Sequence, residues 1–182
     1  IESGVAVFNV ETIYNVWRAM NQQTPVVDKL VSVVAEVEHP VTVRVPIGTT
    51  IEEVVALAGG TTVKDPVYFI GGPMMGFAMV TMDAPVTKTS SSILLFKEDV
   101  VAKSLETACI NCGRCVEICP SRIIPSRLAD FSKRKDEASF VAWNGLECVE
   151  CGSCSYVCPA KRQLKQAIGS MRKTALANRK KK

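Results

Sequence analysis

Eight cysteines fall between Cys109 and Cys158, and none occurs elsewhere in the 182-residue chain. They form two copies of one pattern. Cys109, Cys112, Cys115, Cys119 and Pro120 make the first copy, and Cys148, Cys151, Cys154, Cys158 and Pro159 make the second. Three thiolates at two-residue steps on a tight loop can curl around three corners of an iron–sulfur cube. The fourth, three residues further on and followed by proline, faces away and serves the other cluster. The spacing therefore predicts two 4Fe-4S clusters, one held by Cys109, Cys112, Cys115 and Cys158, the other by Cys148, Cys151, Cys154 and Cys119. Disulfides at these separations would be strained and redundant. Structural zinc favours two pairs per site with longer separations. A metal site in a reducing compartment is the better reading.

The residues between the cysteines suit a cluster environment. Gly113 and Gly152, each between a second and third cysteine, let the backbone bend close to a cluster and offer it amide donors. Ile118, Ile123, Ile124, Val149 and Val157 are expected to form a dry shell, since low solvent access is one lever on cluster potential. Between Cys119 and Cys148 lie 28 residues. That gap is long enough for helices, so an α-helical ferredoxin-like arrangement is expected in place of a small β-hairpin one.

The elements that must position these motifs are read from periodicity. Gly4 to Asn9 reads as a strand, and the following helix carries Ile13, Val16, Trp17 and Met20 on one stripe. Residues 1–25 look like the tail of a domain whose body lies upstream. Strands are expected at Leu30 to Val37 and Val41 to Val45, then a helix opened by a Thr50/Glu53 capping box, with Ile51, Val54, Val55 and Ala58 inward and Gly59-Gly60 as its stop. Further strands at Val67 to Ile70 and Ile93 to Phe96 make residues 26–100 a small β-grasp unit. The fold class is thus α+β, with the β-grasp domain followed by the cluster domain over 101–182. There, Pro125 to Arg134 is expected to be helical with Leu128 and Phe131 inward, and a last helix places Leu164, Ala167, Ile168 and Met171 on one face.

Other signals are bland. The stretch Gly71-Gly72-Pro73-Met74-Met75-Gly76 lacks the Lys-Ser or Lys-Thr of a phosphate loop and reads as a tight loop, its methionines as core fillers. His39 stands before Pro40 without acid or thiol partners and receives no catalytic role; no other residue is assigned one. From Lys161 to Lys182 there are basic residues and no acidic ones, read as a solvated cationic helix end, with Lys180 to Lys182 frayed. Nucleic acid is not expected as a partner, because aromatic interleaving is missing. No apolar run approaches the roughly 20 residues that cross a bilayer.

The ordered series Gly4 to Val10, Val45-Pro46-Ile47-Gly48-Thr49, Gly71 to Gly76, Pro85-Val86-Thr87-Lys88 and the two cysteine motifs resembles the C subunit of the Rnf electron transport complex. The resemblance implies an upstream domain binding FMN and NAD, an SLBB-like β-grasp domain, and a two-cluster ferredoxin domain, of which the latter two are present. It further implies a peripheral position on the cytoplasmic face of the membrane, contacts with other complex subunits, and a ferredoxin-like subunit as electron donor. The activity implied is an ion-translocating ferredoxin:NAD oxidoreductase, acting as a complex. Cobalamin reductase and a proline-reductase-associated electron carrier share the domain order and give the alternative, a soluble iron–sulfur flavoprotein reductase.

Overall fold

The computed structural model describes residues 4–179, so the expected fraying of Lys180 to Lys182 lies outside the described residues. The chain divides into two compact units. One comprises the chain up to Gly72 together with Phe77–Lys97; the other comprises Pro73–Gly76 and the chain from Glu98 onward.

The first unit opens with helix α1 (Val10–Gln22), capped by the Asn9 side chain, which accepts from the Glu11 amide. Gly4 to Asn9 forms no strand, contrary to expectation. Its β-prone residues have no neighbouring strand to pair with, and an unpaired strand leaves its amides unsatisfied. None of the residues of α1 is buried. Ion pairs tie it to the next element, Arg18 donating to Asp28 at 2.9 Å and Lys29 pairing with Glu11.

Strands β1 (Asp28–Ala35) and β2 (Val41–Pro46) pair antiparallel, with Val31 opposite Val43 and Val33 opposite Val41. Alternation sorts the faces. Val31, Val33 and Val45 are buried, whereas Ser32 and Thr42 share a hydroxyl hydrogen bond on the other side. Helix α2 (Ile51–Leu57) begins at the expected capping box, in which the Thr50 hydroxyl accepts from the Glu53 amide and the Glu53 carboxylate accepts from the Thr50 amide. Its inward residues Ile51, Val54 and Val55, with Ala58, join the sheet core. Strands β3 (Val67–Ile70), β4 (Phe77–Met79) and β5 (Ser92–Phe96) complete a five-stranded sheet of order β2-β1-β5-β3-β4, with β5 parallel to β1 and antiparallel to β3. β4 was not expected, because Phe77-Ala78-Met79 is too short to show a period.

Thr50→Ala removes one half of the capping box and is expected to cost about 1 kcal/mol of local helix stability. Amides of α2 should then exchange about fivefold faster, while Thr50→Ser keeps the wild-type rates.

All five strands among the described residues lie in the first unit; the second is helical. A short helix α3 (Val100–Lys103) leads in, and α4 (Arg114–Glu117) sits inside the first cysteine motif. Next come α5 (Pro125–Lys133), with proline at its first turn, and α6 (Glu137–Ala142). A 3-10 turn (Gly145–Glu147) enters the second motif, which contains α7 (Ser153–Tyr156), and α8 (Leu164–Arg179) closes the unit. Leu128, Phe140, Leu164 and Ile168 are fully buried and pack with Cys154 and, at the margins, with Cys115, Cys119, Cys148 and Cys158. Burial of four large apolar side chains stabilises the unit by roughly 1.5–3 kcal/mol each before entropy is counted. Its core and its cysteine loops are therefore one body. No described helix is long and apolar enough to cross a membrane.

Candidate metal centre

The two cysteine motifs adopt the same backbone path. Gly113 and Gly152 have φ of 76° and 82° with ψ of −13° and −11°. Asn111 and Glu150 are left-handed at 55° and 54°, and Arg122 and Lys161 at 52° each. Each pair is separated by the 39 positions that separate Cys109 from Cys148. The repeat is thus conformational as well as sequential.

The eight thiols distribute over two cavities. Cys109, Cys112, Cys115 and Cys158 line the first. Cys148, Cys151, Cys154 and Cys119 line the second. Apart from Arg114 in the first and Ile168 in the second, every residue lining one cavity has its 39-position mate lining the other.

Local geometry explains why the fourth cysteine of each motif leaves its neighbours. Residues four apart on an α-helix share a face. After α4, however, the Cys119 amide donates to the Val116 carbonyl, and after α7 the Cys158 amide donates to Ser155. Closing bonds that span three residues wind the chain at about three residues per turn. The Glu117 and Ile118 amides still close over four residues, so the tightening falls at the last step and turns Cys119 past the direction of Cys115.

Burial sets the thiol chemistry. Removal from water pushes the Cys154 thiol up to about 11, and burial likewise raises Cys148, with the Glu150 carboxylate adding to the effect. Such thiols resist ionising by themselves, whereas a bound metal removes their protons outright. Four thiols around one cavity are the donor set of a 4Fe-4S cluster. The residues present therefore fit two such clusters.

Several expectations are corrected. Of the proposed dry shell, only Ile123 is buried; Ile118, Ile124 and Val149 are exposed. Ile123 and Val149 do line the second cavity, but most of the apolar lining comes from Pro120, Pro159, Leu164, Pro125 and Ile168, backed by Phe140 and Leu128. Met74 and Met75 are exposed rather than core fillers. Their segment, Pro73–Gly76, groups with the cysteine unit, where Lys165 donates to the Met75 carbonyl at 3.3 Å. The basic C-terminal stretch is not uniformly solvated either. Arg172 donates to the Leu146 carbonyl at 3.0 Å and to Glu150 at 3.3 Å. Arg162 is buried, donating to Asp130 at 2.6 Å. Sequence reasoning missed both. The available signal for Arg162 was its position as the mate of the apolar Ile123.

Two stretches of the chain match known domains. Residues 30–78 match the SLBB domain, and residues 108–162 match the 4Fe-4S dicluster domain. The cobalamin reductase of Salmonella typhimurium is 40% identical over 138 residues, 69% of this chain and 31% of that protein. The C subunit of the Na(+)-translocating ferredoxin:NAD(+) oxidoreductase complex of Acetobacterium woodii is 34% identical over 181 residues, 99% of this chain and 41% of that protein. The C subunit of the proton-translocating complex of Clostridium ljungdahlii is 36% identical over 128 residues, 69% of this chain and 28% of that protein. The chain therefore spans well under half the length of each of these relatives. An SLBB domain followed by a dicluster domain fits the C-terminal part of the Rnf C subunit, and the chain is similar to that subunit along its sequence.

Proposed function

We propose that this chain, an iron–sulfur polypeptide similar along its length to the C subunit of ion-translocating oxidoreductase complexes, is the single-electron relay of an Rnf-type ferredoxin:NAD oxidoreductase. The observation that carries the reading is the sorting of eight cysteines into two four-thiol cavities inside one helical unit. When bound, a 4Fe-4S cluster supplies one-electron chemistry without proton transfer, at a potential set by charge, hydrogen bonds and solvent access.

The residues divide the work. Cys109, Cys112, Cys115 and Cys158 hold one cluster, and Cys148, Cys151, Cys154 and Cys119 the other. Gly113 and Gly152 supply a backbone conformation that residues with a Cβ rarely adopt. Phe140, Leu128, Leu164 and Ile168 keep water away from the inner side. NAD and FMN chemistry is assigned to a domain upstream, as the resemblance to the Rnf C subunit implies. Residues 1–25 are read as the end of that domain, 26–100 as the SLBB domain and 101–182 as the dicluster domain. A peripheral location on the cytoplasmic face, docked on membrane subunits and fed by a ferredoxin-like donor, completes the reading.

A second reading is favoured by one observation, the 40% identity to a cobalamin reductase. In it the same clusters reduce a corrin ligand in a protein free of membrane partners. Co-fractionation of the full-length protein with membranes supports the first reading; cobalamin reduction by a protein that stays in the soluble fraction supports the second.

Both readings require the clusters. Anaerobically purified full-length protein is expected to contain about eight irons attributable to this domain and to show a magnetically coupled spectrum on reduction. Fewer than about four irons, or stoichiometric zinc, overturns the assignment.

A further inference from the structure

The two cavities are mates at nearly every lining position, which makes their differences informative. Ile123 lines the second cavity and its mate Arg162 lines the first. The two are equally enclosed, at 7% and 6% exposure. One site therefore has a buried cation where the other has a hydrocarbon.

Charge elsewhere in the linings does not cancel this difference. Arg114, exposed, is the other charged group of the first cavity. The second contains Glu150 and Lys165, which oppose one another. Arg162 is held by Asp130 at 2.6 Å and by Glu106 at 3.8 Å, and Glu106 is shared with Lys133. Its Nη1 atom is buried and has no hydrogen-bond partner among the described residues. A buried guanidinium donor without a partner calls for one, and the cavity that Arg162 lines holds four thiols, with Asn111 and Ser126 as its uncharged polar side chains. A guanidinium is not deprotonated in proteins, so the charge is retained.

We propose that Arg162 directs a charged donor at the sulfurs of the cluster held by Cys109, Cys112, Cys115 and Cys158, making that cluster the more easily reduced of the two. A fixed positive charge in a low-dielectric site favours the state carrying the additional electron. Hydrogen bonds to cluster sulfurs act in the same direction. The electron comes from the external reductant, and Arg162 neither gains nor loses a proton. Ile123 offers the second cluster neither effect. An electron delivered to this unit would then rest on the first cluster, and the second would be the stronger reductant. Arg162 is a positioning residue in this scheme, since it ligates nothing itself.

The inference rests on the ligand sets proposed above, so iron is quantified first in every variant of the full-length protein. A wild type without about eight irons overturns those ligand sets before Arg162 is tested. Given that iron, spectroscopic redox titration should resolve two one-electron waves. Arg162→Gln is expected to move the upper wave to lower potential and leave the lower one in place. A tenfold change in the electron equilibrium between the clusters corresponds to about 59 mV. Arg162→Lys should recover part of the shift, because it keeps charge but loses the fork of donors. Should Arg162→Gln fail to retain iron, Asp130→Asn decides, since weakening the compensation of Arg162 should raise the upper wave. Equal movement of both waves, movement of the lower wave alone, or no movement in either Arg162→Gln or Asp130→Asn overturns the proposal.

Discussion

Cys158→Ser is expected to abolish the cluster built on the first cysteine loop, and Cys119→Ser the cluster built on the second, each variant keeping about four of about eight irons. The reason lies at the ends of α4 and α7. Each fourth cysteine follows a helix that tightens to three-residue closure, which turns its thiol out of its own cavity and into the lining of the other. Serine keeps the volume but is a much poorer ligand for iron, so the affected cluster is held by three thiolates and lost on exposure to chelator. Iron counts by themselves do not say which cluster survives; pairs of substitutions do. In Cys112→Ser with Cys158→Ser, both changes strike the same cluster, and iron should fall no further than in either single variant. In Cys151→Ser with Cys158→Ser they strike different clusters, and nearly all iron should be lost. This is the non-additivity of groups that act as a unit. The reverse pattern would show that each motif ligates its cluster alone.

The distance between what sequence and structure each reveal is instructive at particular residues. The cysteine spacing and the capping box at Thr50 are local codes, in which residue type and separation specify a backbone path. The four residues expected inward on or just after α2 are accordingly buried, and the box forms as written. Strands β1, β2, β3 and β5 were legible because β-branched and aromatic runs are bounded by turn residues. β4 was not, because three residues give no period. Gly4 to Asn9 shows the converse error, since strand propensity without a partner makes no strand. The environment of the clusters was least legible. Hydrophobic residues adjacent in sequence to cysteines were expected to shield them, yet Ile118, Ile124 and Val149 face solvent. The shielding comes from α5, α6 and α8, whose contributions depend on tertiary packing. Arg162 was hidden for the same reason. It stands in a basic stretch whose other described members are exposed or half-exposed, and only the fold separates it from them.

Gly152→Ala and Gly113→Ala should differ sharply, although the two glycines occupy equivalent places. Both have positive φ, and a residue with a Cβ there costs about 1–2 kcal/mol. That part is common to both variants. A Cβ on Gly113 meets nothing within 4 Å. A Cβ on Gly152 would lie 2.6 Å from the Met74 carbonyl oxygen and 3.0 Å from the Met74 Cβ. Backbone cannot rotate away as a flexible side-chain tip can, so either Pro73–Gly76 or the cysteine loop must move. Overpacking of this kind costs roughly a further 1–3 kcal/mol. The neighbouring Met75 carbonyl accepts from Lys165, which lines the second cavity, so displacement reaches the cluster site directly. Gly113→Ala is therefore expected to keep both clusters with modestly faster iron release. Gly152→Ala should release about half its iron to a chelator at least roughly tenfold faster than Gly113→Ala, since about 1.4 kcal/mol corresponds to tenfold. Hydrogen exchange should rise at residues 74–76 in Gly152→Ala alone. Matched release rates and unchanged exchange in both variants would show that Met74 does not bear on the second cysteine loop. The glycine would then be required for its backbone angle only.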